Sequence, residues 1–170
     1  MGDQPTTDPD TLVARFTTEL EQVWGEPERH ASLDAAIERA VAIIGSRTAM
    51  VDDHPDLDGL RAHVTCTDDP EEAEVGVTGV LAAAADTGSL ALSFGPGTPR
   101  ATSLVPPEHL AVLPAQRIVA TYADVITRIA ELDPIPSAVH LVTGPSRSAD
   151  IELTPIRGVH GPGRVRVLIC

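Results

Sequence analysis

Leu12, Phe16, Leu20, Val23 and Trp24 recur at the three- and four-residue intervals of a buried helix face. Asp8-Pro9 ahead of them reads as an N-cap with proline in the first turn, and Gly25 as the stop. Residues 25–31 then predict a polar connector. Ser32 caps a second helix whose apolar face is Leu33, Ala36, Ile37, Ala40, Val41 and Ile44, closed by Gly45. Beyond it the period shortens. Short apolar runs at 48–51, 75–78, 90–92, 109–113, 138–143 and 164–169 predict strands. The stretch 62–65 alternates only weakly. Between the strands, 52–59 is an acidic loop, 68–74 an acidic loop or single helical turn, and 95–103 a Gly/Pro loop. The alanine-rich stretch 80–85 favours a short helix. Thr121-x-x-Asp124 is a capping box in front of Val125, Ile126, Ile129 and Leu132. Strands separated by helices predict an α/β fold with a mainly parallel sheet flanked by helices. The organisation expected is one domain over 1–170, with a helical N-terminal segment at 1–45.

Charge is distributed unevenly along this pattern. The 170 residues carry a formal net charge of -13, and all of it lies before residue 75; the remainder holds seven acids and seven arginines. Every basic residue is Arg, and the chain has no Asn. The absence of Lys rules out Schiff-base, P-loop and kinase lysine chemistry, and the absence of Asn a Cys-His-Asn triad and N-glycosylation. An acidic chain with so few aromatics lacks the footprint of a nucleic-acid binder. Two cysteines, Cys66 and Cys170, cannot hold an iron–sulfur cluster, which needs about four thiolates. No His/Cys/carboxylate cluster has metal-ligand spacing. Met1 to Pro5 is polar, unlike a signal peptide, and no apolar run approaches the ~20 residues of a membrane span. A cytoplasmic location is expected.

Three strings carry candidate chemistry. The first runs from Gly144-Pro145-Ser146-Arg147-Ser148-Ala149 to Asp150-Ile151-Glu152 and follows an apolar strand, where open α/β sheets place ligands. Gly144 admits close backbone approach, Ser146 offers a hydroxyl and Arg147 a planar fork for carboxylate or phosphate. A helix beginning at Ser148 would aim its positive end there. The bland alternative is a helix N-cap with Arg147 paired to Asp150 or Glu152. In the second, Gly158-Val159-His160-Gly161-Pro162-Gly163, a histidine between glycines suits ligand contact or proton transfer; the alternative is a plain turn. The third, Asp86-Thr87-Gly88-Ser89, matches the aspartic-protease string, which ends a β-branched strand, but the alanine run before it prefers helix, and a tight turn entering the strand at Leu90 is the better account. The 95–103 loop adds one cation, Arg100. His30, His54 and His63 read as surface groups and His140 as a core residue.

Read in order, these three strings resemble the LUD (lactate utilization domain) family over about residues 75–170, together with Val75-Gly76-Val77-Thr78-Gly79 and the segment from Ser103 to His109. The resemblance implies a fold similar to the NagB/RpiA/CoA-transferase-like α/β domains. It also implies a part in an iron–sulfur-dependent system oxidising L-lactate to pyruvate, with the clusters in partner proteins and none on this chain. By position, Asp86, Thr87, Gly88, Arg100, Gly144, Ser146, Arg147, Asp150, Glu152 and His160 line the implied site. Thr87, Gly88, Arg100, Gly144, Ser146 and Arg147 are expected to bind a small carboxylate or phosphate, and His160, Asp150, Glu152 and Asp86 to act in catalysis. The competing readings are a stand-alone enzyme acting on a phosphorylated or CoA-linked metabolite, and an interaction protein without chemistry.

Overall fold

A capping aspartate and a proline open the first helix where the pattern places them. Asp8 Oδ2 accepts from the Thr11 N–H at 2.9 Å and from its hydroxyl at 2.6 Å, and Pro9 starts helix α1, Pro9–Gln22. Helix α2, Leu33–Ile44, is capped by Ser32 and ended by Gly45 at φ 59. Helix α3, Tyr122–Ala130, carries the full capping box of Thr121 and Asp124. The computed structural model describes residues 8–149, 155–158 and 160–170.

The strands are β1 (Glu26–Arg29), β2 (Thr48–Val51), β3 (Thr65–Cys66), β4 (Val75–Gly79), β5 (Ala82–Ala84), β6 (Ser89–Phe94), β7 (Glu108–Leu113), β8 (Ile118–Val119), β9 (Ala138–Val142), β10 (Arg147–Ala149), β11 (Pro155–Arg157) and β12 (Arg164–Ile169). Six form an all-parallel sheet in the order β1-β12-β7-β4-β2-β3. Four more form a mixed sheet, β8-β5-β6-β9, and β10 pairs antiparallel with β11.

Alternation along the parallel strands sends side chains into two separate cores. Val75, Val77, Leu110, Val112 and Leu168 pack with Ala36, Ala40 and Ile44 of α2. Ala111, Leu113, Val165, Val167 and Ile169 point the other way, onto Phe16 and Leu20 of α1 and onto Ala83, Leu90 and Leu92 of the mixed sheet. The far face of that sheet, Ala82, Ala84 and Ala91, is covered by Val125 of α3. The layers are therefore α2, parallel sheet, mixed sheet and α3, with α1 wedged beside the mixed sheet.

Several elements depart from the sequence reading, among them the short strands β8 and β11. The alanine run is strand β5, not a helix. Ala82, Ala83 and Ala84 are fully buried between two layers, and small side chains let the layers approach, which overrides helix propensity. The polar connector holds β1, an edge strand parallel to β12. Its acids are matched by arginines: Arg164 Nε lies 2.8 Å and Arg166 Nε 3.2 Å from Glu26. Pro27 is tolerated because one side of an edge strand needs no ladder donor. Ser148 lies in β10 rather than opening a helix.

Candidate functional site

The loop after β9 and the loop before β12 are joined through their backbones. The Ser146 N–H donates to the Pro162 carbonyl at 2.9 Å, and the Gly158 N–H to the Ser146 carbonyl at 3.1 Å. The Gly163 N–H donates to Pro107, just ahead of β7, at 3.0 Å. The His160 N–H donates to Ser146 Oγ at 3.3 Å. These loops thus stand at the N-terminal ends of β7 and β12, not at the carboxyl end of the parallel sheet as expected. The reason is that β9 belongs to the mixed sheet, whose course delivers the chain to the opposite rim.

Between the loops and the sheets lies a hollow of about 220 Å³, walled by Ser103, His109, Thr143, Ser146 and His160, with Leu104 and Leu141 exposed at its rim. His109 is fully buried. Its Nε2 sits 2.9 Å from the Thr78 hydroxyl, while Nδ1 has no hydrogen-bond partner among the described residues. Burial lowers its pKa to about 4, so the ring is neutral near pH 7. Asp52, just past β2, is 5% exposed, and burial raises its pKa to about 6 against the pull of the Thr102 hydroxyl and the Arg61 charge.

The sequence-predicted residues divide into those the fold gathers and those it does not. Gly144, Ser146 and His160 wall the hollow. Arg147 is exposed and does not line the hollow; its guanidinium lies 4.8 Å from the Trp24 ring centroid. Thr87 is tied in through hydroxyls, donating to Ser89 Oγ at 2.8 Å, which lies 2.7 Å from Thr143 Oγ1. Asp86 accepts from the Tyr122 N–H at 2.9 Å, at the start of α3. Its string is the expected tight turn, between β5 and β6, although the alanine run ahead of it is a strand and not the helix expected there. Arg100 lines a separate hollow of about 280 Å³ with Phe94, Ser137 and Ala138. Asp150 and Glu152 lie outside the described residues. Ion pairing of Arg147 to either lies outside them too.

Gly88 and Gly144 serve close packing. A Cβ on Gly88 would stand 2.5 Å from Leu20 N, and one on Gly144 2.2 Å from the Val23 carbonyl oxygen. Both adopt positive φ, 65° and 74°. The end of α1 therefore occupies the space that the glycine pattern suggested for a ligand.

Sequence reasoning passed over His109. The available signal was a histidine at the head of an apolar strand, which alone does not say which face it takes. His140, placed in the core, is instead half-buried, its ring edge-on to Phe94 at 4.8 Å. Burial, then Arg100, lowers its pKa. His54 and His30, read as surface groups, are also half-buried, His30 with Nε2 inaccessible. At the carboxyl ends of the parallel strands, Arg117 donates to Asp56 and to the Val80 carbonyl, and His54 Nδ1 lies 3.5 Å from Asp56, so those charges answer one another. Among the described residues no group of three or more His, Cys, Asp or Glu could hold a metal ion. No described helix is long and apolar enough to cross a membrane.

The family model of the LUD domain matches residues 64–170, well over half of the chain. The chain belongs to the LUD domain family. The match covers strands β3 to β12, and with them the whole wall of the hollow. This LUD domain is 37% identical over 101 residues to lactate utilization protein C of an Exiguobacterium species, covering 57% of this chain and 44% of the relative. It is 39% identical over 103 residues to lactate utilization protein C of Bacillus licheniformis, covering 58% and 43%. The alignment thus reaches less than half the length of these curated relatives. The crystal structure of a DUF162 family protein from Deinococcus radiodurans superposes with a TM-score of 0.71 at 18% identity, covering 96% of this chain and 99% of that one. This likeness supports the α/β fold, a mainly parallel sheet flanked by helices, across nearly the full chain.

Proposed function

We propose that this LUD domain acts in lactate utilisation without a cluster of its own, holding a small carboxylate in the hollow between its sheets. The iron–sulfur clusters of that system would be carried by partner proteins. The observation that carries the reading is the hollow, built where the loops holding Ser146 and His160 meet, within the residues that the LUD domain model matches. At about 220 Å³ it is smaller than the roughly 300–1,000 Å³ of drug-sized ligand sites, as suits a metabolite of a few heavy atoms. Its wall offers hydroxyls from Ser103, Thr143 and Ser146, and Arg147, next in the chain to Ser146, carries a donor fork suited to a carboxylate. The names of the relatives, lactate utilization protein C, support a role in lactate utilisation.

The test is capture of the tagged chain from its own cells grown on lactate, with the eluate assayed for iron and lactate-dependent dye reduction. Iron and activity in the eluate support the reading. An iron-free chain that turns over a phosphorylated or CoA-linked metabolite by itself replaces it with the stand-alone enzyme.

A further inference from the structure

We infer that a groove beside α2 docks a basic amphipathic helix of a partner protein, its apolar side chains on the floor and its cations against acidic banks. The groove, of about 630 Å³, lies between α2 and the two helical turns that follow β2, Pro55–Leu57 and Leu60–His63. Every residue that lines it falls between 33 and 63, ahead of residue 64, where the LUD match begins. It shares no residue with the hollow at Ser146 and His160, so it stands apart from the lactate reading.

The sequence of α2 builds the floor. Leu33, Ile37 and Val41 recur every four residues, so they stack along one line of the helix. Each is half-buried: part of the side chain packs on the core beneath, and the rest lines the groove. At about 1.5 Å per residue this line is roughly 12 Å long, about two turns of a partner helix. Grooves of this kind take a helix through apolar anchors at i, i+3, i+4 and i+7.

Charge selects the partner. Asp34 and Glu38 run alongside that line, four residues apart on α2, and Asp58 lines the facing turns. All three are exposed, and none forms an ion pair with a described residue. The acids elsewhere behave differently: Asp10, Glu26, Glu28, Asp56 and Glu108 each meet an arginine. Like charges four apart on a helix repel, and a partner's lysines or arginines relieve that repulsion. The lining holds no arginine, and its basic side chain is His63. A second copy of this chain is the poorer occupant, since the formal charge of -13 would set acid against acid.

The experiment is fluorescence anisotropy of the full chain with a labelled peptide of about 14 residues, roughly four helical turns. The peptide is leucine and lysine, with leucines at i, i+3, i+4 and i+7. It should bind, more weakly as salt rises, and a leucine–glutamate peptide of the same pattern should not. Glu38→Gln with Asp58→Asn should weaken binding at least about threefold, as two exposed ion pairs are lost. Asp69→Asn with Glu71→Gln, which removes the same charge outside the groove, should leave it little changed. Ile37→Gln should weaken it about tenfold by removing an apolar anchor, with folding checked by its urea midpoint. The two exposed charge variants decide the matter even where Ile37→Gln does not fold. A leucine–lysine peptide that does not bind, a scrambled one that binds equally, or charge variants that weaken binding alike overturn the proposal. Self-association in sedimentation that folded Ile37→Gln abolishes also overturns it, giving the groove to a second copy.

Discussion

The guanidinium of Arg147 lies 4.8 Å from the ring centroid of Trp24, the chain's one tryptophan. The contact links the loop after β9 to the end of α1. It also places an intrinsic fluorophore beside the residue expected to hold the ligand's carboxylate. Cation–π contacts at exposed sites are worth only about 0.5–1 kcal/mol, so this contact costs little to exchange for one with an anion.

Arg147→Ala should therefore shift the emission of Trp24 and weaken lactate binding at least about tenfold, as a charge-assisted contact of about 1.5–3 kcal/mol is lost. Fluorescence and calorimetry on the same preparation check both. Unchanged affinity alongside a shifted emission would leave Arg147 a packing residue only.

Gly76 makes a prediction free of any backbone preference. A Cβ there would stand 1.7 Å from the Thr102 carbonyl oxygen, in the short helical turn Arg100–Ser103 that covers β4. Gly76→Ala should cost about 3 kcal/mol in denaturant unfolding, the upper end of overpacking penalties. Gly59 is the contrast: its φ is 85°, and nothing lies within 4 Å of the added carbon. Gly59→Ala should cost only the strain of a left-handed alanine, about 1–2 kcal/mol.

Asp52 and His109 oppose each other over one pH window. The folded pKa of His109 is lowered from 6.5 to about 4, so between these values the unfolded chain binds the proton and acid destabilises the fold. The pKa of Asp52 is raised from 3.8 to about 6, so between these values the folded chain binds the proton and acid stabilises it. Each slope is about 1.4 kcal/mol per pH unit, and over pH 4–6 they cancel. Asp52→Asn should expose the histidine limb, with stability falling by on the order of 3 kcal/mol from pH 6.5 to 4. Urea midpoints of the wild-type and variant proteins across that range test the cancellation. A flat profile in the variant would refute the burial effect on His109.

Much of the secondary structure was legible along the chain because it rests on local chemistry. Asp8-Pro9, Ser32 and Thr121 with Asp124 each satisfy orphan N–H groups within three residues, so the helix starts fall where the sequence places them. The apolar runs at 75–78 and 164–169 are strands because both faces are buried. The site strings were legible as strings, but only part of their chemistry was. Gly88 and Gly144 were read as room for a ligand, and α1 fills that room. A glycine's missing side chain does not say what approaches it.

By itself, the sequence determined the capped helices, the buried strands, the separation of acidic and neutral halves and the membership of the three strings in one family pattern. These depend on residues near one another in the chain or on composition. Tertiary structure alone decided that Ala82–Ala84 is a strand between two layers, that β9 leads to the N-terminal rim, and that His109 is fully buried with Nδ1 unpartnered among the described residues. The physical reason is the same in each case. Packing against elements tens of residues away sets which face is buried, and burial decides whether an alanine run extends, which rim a loop reaches and whether a histidine's second nitrogen meets a partner.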